Sequence, residues 1–344
     1  MLVGIPASGK STYAKELEAK GAKIFSSDER RERFGETNPA EIFPALRREV
    51  VETLKNGDDA VLDATNMNRK KRIVFLDEAR KAGATTRCDL FVVPPSECAK
   101  RNAARKNDHG VTDEVIKSFV RRFECPWYSD GFDEIAVHAF QGEHEPEYDR
   151  NDLKGFPQDN RHHALPLLEH EKKAYDWLVR TKIFTDDFPF LLEAARYHDD
   201  GKFFTKSFLN FAGEETKDAH YYGHECVSSY MFLVRAFCDG QYENPDEYSL
   251  SEWGKLYVAF LISMHMRPLT AWKQSKTAME KDRKRIGEQA FQDLVDLSAA
   301  DEFASTDAPL SSVPIRKMNW RKPNGTPIEL DLKNEEEGTL PDWF

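Results

Sequence analysis

Two kinds of hydrophobic spacing divide this chain. Over roughly the first 140 residues, short apolar runs alternate with amphipathic stretches. Residues 22–26, 60–63 and 88–93 read as strands, while 39–56, 68–82 and 95–106 place apolar residues at helical spacing. Alternation of this kind predicts a parallel sheet covered by helices. The opening run, Met1-Leu2-Val3, is short for a central strand. Either the strand continues upstream, or Met1 itself sits in the sheet. A polar stretch from about Gly142 to Asp159 ends the pattern and reads as a linker. Beyond it the spacing is helical nearly throughout, over 162–180, 188–201, 216–238, 250–266 and 277–303. This predicts an all-α second domain. The expected boundaries are 1–145, a linker at 146–158, a helical domain at 159–308, and a tail at 309–344. A Pro-Asn-Gly turn at 323–325 makes that tail either a surface hairpin or a loose end.

The 344 residues suffice for two cores. No apolar run reaches membrane-spanning length, and the first residues already belong to a phosphate-loop unit, so neither a membrane span nor a signal peptide is expected. Five scattered cysteines, Cys88, Cys98, Cys125, Cys226 and Cys238, form no C-x-x-C pair. They predict reduced thiols and a cytoplasmic location. The net charge of −11 argues against a nonspecific nucleic-acid coat. Residues 1–150 carry 25 basic and 27 acidic side chains, and the remainder carries 24 and 33. Such a protein can still grip a few phosphates locally.

Candidate chemistry begins at Gly4-Ile5-Pro6-Ala7-Ser8-Gly9-Lys10-Ser11-Thr12, which fits G-x-x-x-x-G-K-[ST]. Glycines let backbone N–H groups close around a triphosphate. Lys10 is expected to reach the β/γ-phosphates of ATP, and the Ser11 hydroxyl to hold Mg²⁺. A helix from about Lys10 to Lys20 points its positive end at the anion. After the second strand come Asp28 and Arg31, one helical turn apart. A carboxylate at that sheet edge is placed to accept a proton from an attacking hydroxyl, and the guanidinium to clamp an acceptor phosphate. Asp28 is equally suited to capping a helix that begins at Glu29. The third strand ends in Asp63-Ala64-Thr65-Asn66, where an Asp supports a metal site or a turn. Arg101 and Arg105, four residues apart, share a helix face and could close over the triphosphate, or simply face solvent.

These pieces resemble the phage-type 5′-polynucleotide kinase family, over about residues 1–140. The resemblance implies that Asp28 is the general base for a 5′-hydroxyl and Arg31 grips the adjoining 3′-phosphate. It further implies that Asp63 and Asn66 belong to the substrate site, and that Arg105, supported by Arg101, clamps ATP. Kinases of small molecules share the Asp28–Arg31 and arginine elements.

The helical half carries a second constellation: His170, then His198-Asp199 within Tyr197-His198-Asp199-Asp200-Gly201-Lys202, then His220, His224, His265 and Asp301. Each falls on a segment of helical spacing, with His220 and His224 on one face. Imidazoles and carboxylates converging from separate helices suit a metal site. One ion would take His170, His198, Asp199 and Asp301; a second would take His224 and His265, with Asp199 bridging. Two adjacent cations polarise a phosphoryl group. His162, His163 and His220 are read as ordinary core or surface histidines, although His220 is placed to touch substrate.

The order H…HD…D, with further histidines between, resembles the HD-domain phosphohydrolase superfamily over about 158–305. The resemblance implies His170, His198, Asp199 and Asp301 as core ligands, His224 and His265 as additional ones, and Lys202 near the substrate phosphate. Asp200 departs from the family's usual apolar residue, and would either add a ligand or face solvent. Mn, Fe, Ni, Co or Zn would suit the donor set.

Together the halves resemble RNA end-healing enzymes. The chain is therefore expected to phosphorylate 5′-hydroxyl ends and remove 3′-phosphate or 2′,3′-cyclic phosphate from RNA or DNA, RNA favoured. A separate ligase would act downstream. The rival readings are a small-molecule or nucleoside kinase fused to a nucleotide phosphohydrolase, and a nucleotide-sensing module without turnover.

Overall fold

The computed structural model describes residues 1–35, 38–105, 110–181, 188–239 and 250–313. Most of the tail lies outside these residues. The chain divides into two compact units, residues 1–147 with 229–263, and residues 148–228 with 264 onward.

In the first unit, β1 (Leu2–Val3), α1 (Lys10–Ala19), β2 (Lys23–Ser26), α2 (Ser27–Phe34), α3 (Pro39–Lys55), β3 (Ala60–Asp63), α4 (Arg69–Lys81), β4 (Arg87–Val92), α5 (Pro95–Ala103), α6 (Asp113–Val120) and β5 (Glu134–Ala139) alternate in sequence. Every strand pairing here is parallel: β1 with β4, β4 with β5, and β2 with β3. The two sets adjoin where β1 meets β3. There Gly4 N–H donates to the Thr65 carbonyl at 3.2 Å, and Asn66 Nδ2 donates to the Leu2 carbonyl at 2.7 Å. Strand β1 begins at Leu2, and Met1 lies just before it with its carbonyl accepting from Asp89 N–H at 3.0 Å.

Successive strand residues face opposite sides, so both sheet faces need cover. On β3, Leu62 packs with Ile42, Leu46 and Val50 of α3 and Phe75 of α4. Its neighbour Val61 packs with Leu2, Ala14 of α1 and Phe91. The helix expected from Glu29 is α2, which starts two residues earlier at Ser27, while strand β5 and helix α6 went unread in the sequence.

The contiguous boundaries drawn from sequence need correction. Within the second half, α10 (His224–Phe237) from Ser229 on, and α11 (Glu252–Met264) up to Ser263, belong with the first unit. Tyr230 OH donates to the Val93 carbonyl at 2.8 Å, and Trp127 stacks on Phe260 at 5.2 Å. The apolar surfaces on both helices find their partner there, a pairing that periodicity cannot assign.

The second unit holds α7 (Leu167–Thr181), α8 (Phe188–Tyr197), α9 (Lys202–Thr205), β6 (Ser207–Leu209), β7 (Glu215–His220), the start of α10, α12 (Lys276–Ile286) and α13 (Glu288–Ala304). Helix α13 packs on α7, α8 and α12, and α7 packs on α8. Leu167, Ala174, Leu178, Ala194, Leu294, Leu297 and Ala300 are wholly buried.

Three further expectations give way here. The unit is not purely helical, since β6 and β7 form an antiparallel hairpin in place of the front of the helix expected at 216–238. The helix expected at 277–303 is two helices, broken at Gly287, whose φ of 87° and ψ of 165° give an extended, positive-φ backbone that favours glycine. The expected linker belongs to the unit from Tyr148 on, with Leu153 fully buried and Gln158 nearly so.

Candidate functional site

Two sites emerge, one in each unit. In the first, the phosphate loop follows β1 directly into α1. Gly9 takes φ 99° at the helix N-terminus, a conformation that favours glycine. Gly4 is demanded by packing instead, because a Cβ there would lie 2.7 Å from Ser8 Oγ and 3.0 Å from Phe91 Cβ. Lys10 is buried, with Nζ donating to the Ile5 carbonyl at 2.8 Å and to Ser8 Oγ at 3.3 Å. Burial pushes its ammonium down to about 8, against the pull of Asp63. Burial also raises the Asp63 carboxyl, an effect softened by its hydrogen bond with the Ser11 hydroxyl and by Lys10. An oxygen pair of this kind, hydroxyl beside carboxylate, suits Mg²⁺.

The loop opens on a cavity of ≈ 460 Å³. Pro6, Ala7, Gly9, Lys10, Ser11 and Thr12 form its floor, and Asp28, Arg31, Asp63 and Arg105 reach it from other elements. Ser26, not Asp28, caps α2, accepting from Glu29 N–H at 3.3 Å. Asp28 is thus left exposed in the first turn, paired with Arg31. Glu32, Phe43, Val111 and Phe119 also line the cavity and were not singled out from sequence. Glu32, Phe43 and Phe119 lie on α2, α3 and α6, and Val111 on the loop before α6, so no shared spacing in the sequence marks them.

Two sequence-derived candidates lie elsewhere. Asn66, at φ 49°, spends its amide on the Leu2 and Ala64 carbonyls and ties β1 to β3. Arg101 bonds Glu97 at 2.8 Å and lies 4.9 Å over the Phe140 ring. It does not share a helix face with Arg105, because α5 ends at Ala103. Behind the loop, buried Arg72 binds Asp130 and donates to the Asn66 and Met67 carbonyls at 2.9 and 2.8 Å. It thereby fixes the turn after Asp63.

The second unit gathers all six expected ligands. His170 Nε2 lies 3.2 Å from Asp199 Oδ2 and 3.1 Å from Asp301 Oδ1. His198 Nε2 lies 3.4 and 3.7 Å from the same two oxygens. On the other side, Asp199 Oδ1 lies 3.3 Å from His224 Nε2 and 3.7 Å from His265 Nε2. Asp199 therefore turns one oxygen to each group of imidazoles. These atoms fall into two sets, His170–His198–Asp199–Asp301 and Asp199–His224–His265, each compact enough to share one ion.

Neighbouring carbonyls orient the rings. Those of Ala195 and Tyr221 face His198 Nδ1 and His224 Nδ1 at 2.9 and 2.8 Å. Bonding there fixes Nδ1 as donor and leaves Nε2 with its lone pair inward. Buried His170 Nε2 and His198 Nε2 lack well-angled hydrogen bonds, a costly arrangement unless a cation supplies the partner, and Asp199 Oδ2 relies on the Lys202 ammonium. The donor set fits a pair of divalent ions.

The protein itself compensates part of this charge. Burial works to raise Asp199, but Lys202 and His198 hold it well below the usual carboxylate range. Burial opposes the charge on His170 too, yet Asp199 and Asp301 carry its pKa upward. His265 is pushed down to about 3 by burial and the neighbouring imidazoles.

Lys202 Nζ lies 2.6 Å from Asp199 Oδ2, 2.9 Å from Gln158 Oε1 and 3.2 Å from His163 Nε2. His163, read from sequence as an ordinary histidine, thus belongs to this centre. Its ring meets His170 at 5.0 Å. His220 and His224 do not share a helix face, because His220 ends β7 and His224 opens α10. Asp200 neither faces solvent nor joins the cluster. It accepts from Tyr148 OH and lies 3.5 Å from Arg150 Nε. Arg150 in turn binds Glu171 at 2.6 Å, whose other oxygen accepts from Asp199 N–H at 3.1 Å. Gly201 is obligatory, since a Cβ would stand 2.2 Å from the His224 carbonyl and 2.6 Å from Ser228 N.

The profile of a family described as an AAA domain matches residues 1–126. Together with the loop and the parallel sheet, this makes the N-terminal region a P-loop, kinase-like nucleotide-binding domain. A curated relative, a "Bifunctional polynucleotide phosphatase/kinase" from Schizosaccharomyces pombe, is 27% identical over 146 residues. That alignment covers 41% of this chain and 33% of the relative, so the chain spans about a third of that protein's length. Among the described residues, no helix is long and apolar enough to cross a membrane, and none of the five cysteines is in a disulfide.

Proposed function

We propose that this chain heals broken nucleic-acid ends with two phosphate-handling centres. The first phosphorylates 5′-hydroxyl ends at the expense of ATP. The second removes 3′-phosphate or 2′,3′-cyclic phosphate. RNA is the favoured substrate, and a separate ligase would join the healed ends.

In the first centre, loop amides and Lys10 hold the triphosphate, while Ser11 and Asp63 would hold Mg²⁺, which neutralises phosphate charge when bound. Asp28 takes the proton from the substrate 5′-hydroxyl as its oxygen bonds to the γ-phosphorus. The bridge to the β-phosphate breaks, and ADP leaves. Arg31 grips the acceptor's neighbouring phosphate, and Arg105 offsets charge on the transferred group. Arg101 and Asn66 support the fold around this centre.

In the second, His170, His198, Asp199 and Asp301 would hold one ion, and Asp199, His224 and His265 another. When bound, the two cations supply Lewis-acid polarisation of the phosphoryl group. Lys202, buried beside Asp199, neutralises phosphate charge. Glu171 and Arg150 keep Asp199 in place, as outer partners of a metal site do.

The observation that carries the reading is Asp199, whose two oxygens serve separate imidazole groups in a chain that also carries a complete phosphate loop. The fungal relative, similar over 146 residues and named for polynucleotide chemistry, supports the kinase half of this reading. The test is product analysis with γ-labelled ATP, a divalent metal and RNA bearing a 5′-hydroxyl and a 3′-phosphate. Label on the 5′ end and release of the 3′-phosphate are expected. Lys10→Ala should remove only the first product. Label appearing on nucleosides but never on RNA would refute the reading and favour a small-molecule kinase.

A further inference from the structure

The β6–β7 hairpin ends in a feature that the fold does not require. Phe211, at its tip, is 87% exposed. The turn that carries it is nonetheless tightly held. Asn210 Oδ1 accepts from Ala212 N–H at 2.9 Å and Glu214 N–H at 3.0 Å, and Asn210 N–H donates to the Glu214 carbonyl at 2.9 Å. Gly213, at φ 81°, closes the turn. A large apolar ring is thus presented to water on a fixed support.

Its inner side rests on Tyr222, with centroids 4.0 Å apart. Tyr222 in turn stacks on His220 at 5.3 Å with ring planes 6° apart. The three rings form a contiguous aromatic row, with Phe211 tilted 43° from Tyr222, and the outermost ring leaves most of its surface bare.

The residue between the last two rings points the other way. Tyr221 is buried, and its ring centroid lies 5.6 Å from Lys202 Nζ. Its OH donates to the Gln158 carbonyl, and its own carbonyl faces His224 Nδ1. One turn of chain therefore offers a stacking face outward and touches the metal-ligand cluster inward. A nucleotide is a flat base joined to a phosphate by a sugar, and this juxtaposition matches that shape.

We infer that Phe211, Tyr222 and His220 form a stacking platform for an unpaired nucleobase next to the phosphate handled at the histidine–aspartate centre. This rests on the phosphohydrolase reading above and adds to it how the strand end is recognised. Stacking on aromatic rings tolerates every base, because each has a π face. Single-stranded ends, whose bases can be splayed, are the fitting occupants. The platform thus selects for a nucleic-acid end over a small phosphate ester.

The test compares full-length wild type with Phe211→Ala and Tyr222→Leu. Substrates are an oligonucleotide with a 3′-phosphate and the same oligonucleotide with its terminal base removed. For wild type, loss of the base should raise KM about 10-fold with kcat nearly unchanged, the scale of one lost base–aromatic stack. Each variant should raise KM similarly on the intact substrate and have no effect on the abasic one, whereas Phe211→Tyr should restore discrimination. Variants that keep wild-type discrimination, or that slow both substrates equally, overturn the platform.

If wild type releases no phosphate from either substrate, the end-healing reading fails. The platform is then judged by binding alone, through quenching of a terminal 2-aminopurine. Quenching lost in both variants supports it, and quenching absent or unchanged refutes it.

Discussion

At the phosphate loop, the groups that would meet the anion come mostly from residues 4–12, and most are backbone amides fixed by one turn and one helix N-terminus. At the histidine–aspartate centre, no two ligands except His198 and Asp199 are neighbours in sequence, and every donor is a side chain. The first site keeps an open cavity and a single buried lysine. The second buries its six candidate ligand residues almost completely. A local site tolerates drift in distant packing. A side-chain site inherits every error in the helices that carry it, and so needs Gly201, Glu171 and Arg150 behind it. The difference also sets how each site fails.

The largest effect should come from Asp199→Ala, which removes the oxygens shared by both ligand groups. Phosphate-ester hydrolysis should fall by about 10³-fold or more, the scale of losing several kcal/mol of Lewis-acid stabilisation. Bound divalent metal, measured by elemental analysis, should fall with it, while 5′ phosphorylation persists. Loss of both activities in a folded variant would erase the division between the centres.

The arginines test the first site internally. Arg105→Ala should slow phosphoryl transfer about 10³-fold, borrowing the scale of arginine fingers. Arg101→Ala should change it by less than about 3-fold, since Arg101 lies outside the cavity and is held by a half-buried pair with Glu97. Single-turnover rates on 5′-hydroxyl RNA measure both, and equal losses would return Arg101 to the site.

Glu171→Gln asks how far the second centre depends on its supports. It keeps the volume but weakens the charge network holding Asp199, so metal affinity should drop about 10- to 100-fold. Titration with a metal indicator reads this directly, and unchanged affinity would mean that α7 and α8 position Asp199 unaided.

The smallest effect concerns Lys10. Its folded-state pKa of about 8 lies below the ordinary 10.5. Between those values the unfolded chain holds the proton and the folded chain does not, so stability rises with pH through this window. Nucleotide-free wild type should therefore gain on Lys10→Met as pH rises from 8, as seen in denaturation midpoints. ATP affinity should decline over the same range, because phosphates favour the charged ammonium. A wild-type minus variant difference that stays flat would show Lys10 to be hydrated.

Legibility followed the same division. The phosphate loop, Asp28, Arg31 and Asp63 could be read in order, because strand-end positions and a fixed spelling imply a place in a parallel sheet. The helix-face pairing of Arg101 with Arg105 failed because α5 stops at Ala103, and no Gly or Pro marks that end. Likewise, residues 215–220 lack an apolar alternation strong enough to announce β7 beside the helix that follows.

Residue type and chain order alone determined which donors this protein owns: a loop of amides with one lysine, and six imidazole or carboxylate groups suited to cations. The tertiary structure decided that Asp199 faces two ways, that His163 joins the cluster through Lys202, that Asp200 turns toward Arg150, and that residues 229–263 serve the first unit. The reason is physical. Backbone spelling acts over a few residues, whereas the direction of a buried side chain is set by whatever packs against its helix from elsewhere in the chain.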